Sequence, residues 1–281
     1  MTKVIGIIAI KGGVGKTTIS TSLASELVNR FGKRVLLIDA NYSAPNLGLH
    51  MDLVAPSNTI HDVLANKIRI KDAIVNKYGV DIIPGSYVSN ERLNYLKLKD
   101  RIKRLKKKYD FVVIDSSPSL NEEVLSTMLA SDSLFVVTTP DYPTLSCTLR
   151  AVKIAKNRGS PISGLIVNKV RNPRYEINVR DIEDAVGIPV VAKIKDDKKN
   201  VGALFTRIPM TVYDASSKFS REINKLAHAL TGEDKKIGFF GKLFGNFGRE
   251  AVNRQLLRKN FYNNQFDMSL NKGLDENVKQ G

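Results

Sequence analysis

The chain has 281 residues, 42% hydrophobic and 26% charged, the composition of a globular protein large enough to bury a sizeable core. Its single cysteine, Cys147, excludes a disulfide framework, and no apolar run approaches the ~18 residues of a membrane span. The N-terminus lacks the pattern of a secretory signal, so the expectation is a cytoplasmic protein with at most peripheral membrane contact. The net charge of +16 favours anionic partners.

The first apolar run, Val4 to Ile10, predicts a buried strand, and Ile19 to Arg30 predicts a helix. Between them stands Lys11-Gly12-Gly13-Val14-Gly15-Lys16-Thr17-Thr18. Strand, glycine loop and helix in that order form a phosphate cradle: glycines turn successive N–H groups toward one anion, and the helix N-terminus adds partial positive charge. Residues Lys11 to Thr18 are therefore the expected nucleoside-triphosphate-binding loop, with Lys16 on the β- and γ-phosphates and the Thr17 hydroxyl on Mg²⁺. The GxxxxGK[ST] pattern holds only with Lys11 in place of its first glycine.

This KGGVGKTT loop resembles the deviant Walker A loop of the MinD/ParA ATPases. The resemblance implies that Lys11 reaches the ATP of a partner subunit, so that ATP drives a homodimer. Val35 to Ile38 predicts a second strand, leading into Asp39-Ala40-Asn41. The family has Asp-x-Asp here. Asp39 matches as a Mg²⁺ and catalytic residue, but the second carboxylate, which serves the attacking water, is the amide of Asn41. An amide holds water yet accepts no proton, so turnover is expected to be slow and Asn41→Asp to raise kcat. Ser43 to Leu49 continues the likeness.

Asp81 to Ile83 predicts a further strand. Residues 94–108 carry eight cations and one anion, with Leu96, Leu98, Ile102 and Leu105 near helical spacing. They predict a helix with a basic outer side, Lys97–Lys108, suited to phosphates of DNA or anionic lipid. Phe111 to Ile114 ends in Asp115, a Walker B carboxylate expected on Mg²⁺, and Ser116-Ser117-Pro118 resembles the family's Asp-x-x-Pro. Ser133 to Thr138, Ile162 to Val167 and Val190 to Ile194 complete the predicted strands. Val136 to Asp141 matches the family's strand and Pro-containing turn. In Asn168-Lys169-Val170-Arg171 a donor stands where guanine readers place an acceptor, so Asn168 is expected to face adenine. Ile194-Lys195-Asp196-Asp197 lacks the family's Ile-Pro.

The alternation predicts an α/β fold: a mostly parallel, doubly wound sheet with helices on both faces, as in P-loop NTPases, plus a C-terminal amphipathic helix. Residues 1–232 are read as the ATPase domain, 233–262 as an amphipathic membrane-targeting segment, and 263–281 as a polar, disordered tail. Ile237, Phe239, Phe240, Leu243, Phe244 and Phe247 supply the lipid-facing side chains, with Lys242 and Arg249 opposite. The resemblance implies a MinD-like ATP switch on the inner membrane face that positions other assemblies through an activator or cargo protein. The alternatives are a ParA-like DNA-segregation ATPase and an ATP-binding scaffold with little turnover.

Overall fold

The computed structural model describes residues 2–88, 93–105, 107–232 and 249–262. Eight strands form one sheet: β1 (Lys3–Ile8), β2 (Val35–Ala40), β3 (Val75–Lys77), β4 (Val80–Ile83), β5 (Phe111–Ser116), β6 (Ser133–Thr138), β7 (Ile162–Val170) and β8 (Val190–Lys195). Their order is β3-β4-β2-β5-β1-β6-β7-β8, parallel except for the β3/β4 hairpin. All residues of β2, β5 and β6 are buried, as parallel strands covered on both faces require.

The period-2 alternation divides each strand between two cores. Ile5, Ile7, Leu37, Val113, Phe135 and Val137 point to one face, packed with α1 (Lys16–Asn29). Val4, Leu36, Ile38, Val112 and Ile114 point to the other. There lie, after α2 (Leu47–His50), which follows β2 and buries Leu47 in the α1-side core, the short helix α3 (Ile60–Leu64), then α4 (Leu98–Lys103) and α5 (Glu122–Ala130). Next along that side come α6 (Tyr142–Asn157) and α7 (Val179–Val186), over Ile8, Leu134, Val136 and Leu165. The chain then forms α8 (Lys199–Thr206), α9 (Met210–Tyr213) and α10 (Lys218–Thr231). Small residues on α1 admit the last two closely: Thr211 Oγ1 donates to the Ser22 carbonyl at 3.0 Å, and Asn224 Nδ2 to Glu26 Oε1 at 2.6 Å.

Three expectations change. The first strand stops at Ile8, because Ala9 and Ile10 already turn into the glycine loop, and α1 starts at Lys16 rather than Ile19. Residues 94–108 do not form one helix: a 3₁₀ turn (Tyr95–Lys97) leads into α4, which buries Leu98 and Ile102 and leaves Leu96 59% exposed.

The core also extends beyond residue 232. A final helix, α11 (Arg249–Tyr262), buries Leu257 and Phe261 in the α1-side core. Asn253 Nδ2 donates to the Val190 carbonyl (2.9 Å) and to Glu183 Oε1 (2.6 Å). Arg254 Nη1 donates to the Val191 carbonyl (2.9 Å) and pairs with Glu222 Oε1 (2.7 Å). Lys3 Nζ lies 5.1 Å from the Phe261 ring centroid. The α11 part of the expected targeting segment thus packs against the ATPase domain through Leu257 and Phe261, beside the starts of β1 and β8, while Val252 and Leu256 stay exposed. The expected lipid-facing residues Ile237 to Phe247, and the tail from 263, lie outside the described residues. Removing a fully buried ring leaves a cavity, so Phe261→Ala is expected to cost about 3–5 kcal/mol. An unchanged denaturant midpoint would remove α11 from the core.

Candidate nucleotide site

β1 is flanked by β5 and β6, so the chain's strand order reverses across it and opens a crevice at the carboxyl ends of the strands. The glycine loop enters there. Gly15 caps α1 at φ 94°, and Gly13 has φ 78°, both left-handed conformations that favour glycine. A side chain at Gly15 would also collide with Asn168. With no side-chain cap on α1, its first N–H groups remain available to an anion.

Lys16 is buried, and burial pushes its ammonium pKa down against the opposing pull of Asp115. Thr17 Oγ1 donates to Asp115 Oδ2 at 2.7 Å and to Asn46 Oδ1 at 3.1 Å; Ser20 Oγ donates to Asp115 Oδ1 at 2.9 Å. Asp39 is the register partner of Asp115 on the neighbouring strand. It accepts from the Asn41 N–H at 3.0 Å and the Leu47 N–H at 3.1 Å. Burial, with the Asp115 charge adding, pushes the Asp39 carboxyl up to about 8, and burial pushes Asp115 up as well.

Two buried acids side by side, with a hydroxyl beside them, make a hard oxygen set that fits Mg²⁺. No group of three or more His, Cys, Asp and Glu gathers among the described residues, so Thr17 and phosphate oxygens would complete that shell. The raised Asp39 pKa fixes a sign. The folded chain holds a proton that the unfolded chain releases near pH 4, so the Asp39 contribution is full below about pH 4 and is lost as pH rises through about 8. The melting temperature of nucleotide-free protein is expected to fall over that window. Mg²⁺ with ADP is expected to flatten the slope; an equal slope with both would remove Asp39 from the metal site.

The remaining expected residues sit elsewhere. Asn168 is buried and its Nδ2 donates to the Val14 carbonyl at 2.8 Å, so this amide braces the phosphate loop. Arg171 is engaged by Asp196 at 2.7 Å, and its N–H by Glu176 Oε1 at 2.5 Å. Lys11 does not join Lys16. Its Nζ donates to Thr144 Oγ1 at 3.0 Å and stands 3.6 Å from Asp141 Oδ1, on the rim of a 310 Å³ cleft that Lys169, Arg171 and Tyr175 also line. Asn41 folds back on its own turn, with Nδ2 on the Ala44 carbonyl at 2.5 Å. Sequence reasoning passed over Ser20 and Thr144, and took Asn46 and Asp141 only as parts of longer family-like stretches, without a role. Ser20 was findable, lying one helical turn beyond Thr17; the other three need the fold.

A phosphate loop on a topological switch point, with a buried lysine and paired acids beside it, defines a P-loop nucleoside triphosphatase. Residues 2–157 match the family model described as an AAA domain. An uncharacterized ATP-binding protein of Methanocaldococcus jannaschii is 35% identical over 87% of this chain and 97% of its own. The cell division ATPase MinD of Pyrococcus furiosus superposes with a TM-score of 0.75 at 32% identity, covering 81% of this chain and 98% of its own. The septum site-determining protein MinD of Pyrococcus horikoshii, solved with Mg-ADP, gives 0.75 at 30%, covering 88% and 100%. The chain belongs to the MinD/ParA family of P-loop ATPases.

Proposed function

We propose that the chain is a MinD-like switch: it binds Mg-ATP, dimerises around it, and attaches peripherally to an anionic membrane to position other cellular components. The nucleotide site carries the first part, above all the Lys16, Thr17, Asp39 and Asp115 constellation at the strand ends. Lys11, on the rim of the cleft with its side chain 41% exposed, supports a role toward a partner's nucleotide. The sequence of Lys235 to Arg249 supports the membrane part: Ile237, Phe240, Leu243, Phe244 and Phe247 share one face at 100° per residue. No described helix is long and apolar enough to cross a membrane. A dimer would present two such segments and gain avidity of about 10²-fold or more. Hydrolysis is slow, because the turn after β2 carries the Asn41 amide in place of a carboxylate.

Co-sedimentation with anionic vesicles tests this reading with the full chain, with ATP and with ADP. Truncation after Thr231 is a poor comparison, because it removes the buried Leu257 and Phe261. ATP-dependent pelleting supports the switch; equal pelleting in ADP and ATP sinks it. A second reading draws on α4, where Lys99, Lys103 and Arg104 are exposed above buried Leu98 and Ile102. Salt-sensitive DNA binding without lipid binding would favour a ParA-like role.

A further inference from the structure

Asn41 leaves the site short of a carboxylate, but one reaches the same turn from another element. Glu123, on the first turn of α5, is 3% exposed and has no ion pair among the described residues. Its Oε1 accepts from the Ser43 N–H at 3.0 Å. Its Oε2 is buried with no donor among the described residues, and so is Oδ1 of Asn41, two residues before Ser43. The Asn41 amide is fixed in that sense, since Nδ2 is committed to the Ala44 carbonyl. One turn, Asn41 to Ala44, therefore carries or contacts two buried acceptors, each needing a hydrogen.

Tyr42 on the turn, Tyr95 stacked on it at 4.9 Å, and His61 on α3 are electrostatically coupled to Glu123. Burial holds the His61 pKa down, and no Lys or Arg pairs with the carboxylate among the described residues. An uncompensated buried carboxylate is costly. Its neighbour Glu122 is exposed, which shows that α5 itself does not demand an acid on the buried side.

We propose that Glu123 is the proton acceptor for hydrolysis, sharing with Asn41 the attacking water, whose two hydrogens serve Glu123 Oε2 and Asn41 Oδ1. This rests on the ATPase reading above. The water oxygen bonds to the γ-phosphorus while the bond from phosphorus to the β,γ-bridging oxygen breaks. That electron pair leaves on ADP; one water hydrogen stays on the phosphate and the other passes to Glu123, which later releases it to solvent. The carboxylate that the family keeps in the Asp-x-Asp stretch is thus supplied here from α5.

The test is a double-substitution cycle on phosphate release, with fluorescent-ATP binding measured in parallel. Glu123→Gln keeps the acceptor for Ser43 and is expected to lower kcat about 10²-fold, the usual worth of a general base, with KM and ATP binding unchanged. Asn41→Asp is expected to raise kcat only a few fold in the wild-type background but to restore most of the loss in Glu123→Gln, a non-additivity that a scaffold role would not produce. If Glu123→Gln fails to fold, Glu123→Asp is read instead: a withdrawn carboxylate lowers kcat about tenfold at constant KM. Wild-type hydrolysis with either folded variant at wild-type kcat, or equal gains from Asn41→Asp in both backgrounds, overturns the proposal. Wild type that neither binds nor hydrolyses ATP overturns the ATPase reading instead.

Discussion

Lys16→Ala is expected to lower the rate of phosphate release about 10³-fold, the loss that follows removal of one buried electrostatic group aimed at developing charge. The reason lies in the surroundings. Lys16 is 7% exposed, and its charge is the largest of the pulls, with the Thr17 and Ser20 hydroxyls, that oppose the upward push of burial on the Asp115 carboxyl. Without it, phosphates would enter a crevice holding Asp39 and Asp115 and no buried ammonium. Affinity for Mg-ATP should fall together with kcat, because ground state and transition state both carry the γ-phosphate charge. Lys16→Arg should not rescue: a planar guanidinium has a different shape and donor geometry from the compact ammonium buried there. Phosphate release and fluorescent-nucleotide titration check this; a variant within threefold of wild type in both would remove Lys16 from the phosphates.

The second large effect concerns lipid. Replacing Phe240 and Phe244 by Ser in the full chain is expected to abolish ATP-dependent pelleting with anionic vesicles while leaving hydrolysis in solution unchanged. Each buried phenyl ring is worth about 1.5–3 kcal/mol, so two per chain weaken attachment at least 10²-fold. A matched control is Phe261→Ala, whose ring belongs to the core. It should lower stability and leave vesicle binding of the folded fraction intact. Pelleting that survives Phe240→Ser/Phe244→Ser would shift the lipid contact to the basic surface of α4.

Much of this was legible in order. The strand alternation, the glycine loop and the acids ending β2 and β5 are local patterns, and each fell at a strand end where a doubly wound sheet places its ligands. What escaped was relational. Glu122 and Glu123 are indistinguishable in sequence; only the packing of α5 buries one and exposes the other. Asn168 stands in a base-reading context, yet its amide turns to the loop carbonyl 154 residues earlier. The Arg249–Tyr262 stretch carries aromatic and aliphatic residues as the proposed lipid-facing segment does. Whether such a face meets a bilayer or a sheet depends on free space at the starts of β1 and β8, which no periodicity reveals.

The docking of α11 also sets an orientation. Its bonds go to Val190 and Val191, where β8 begins, and its Phe261 meets Lys3, where β1 begins. The phosphate loop opens at the opposite ends of those strands, about 20 Å away for six residues at ~3.3 Å each. Residues 233–248 leave from α10 and return to α11, and Arg258 Nη2 on the Gly232 carbonyl at 2.6 Å ties the two flanks together. The described flanks of that stretch therefore lie at the strand-start end of the body. A lipid contact made close to those flanks would leave the nucleotide crevice facing the aqueous side, open to ATP exchange.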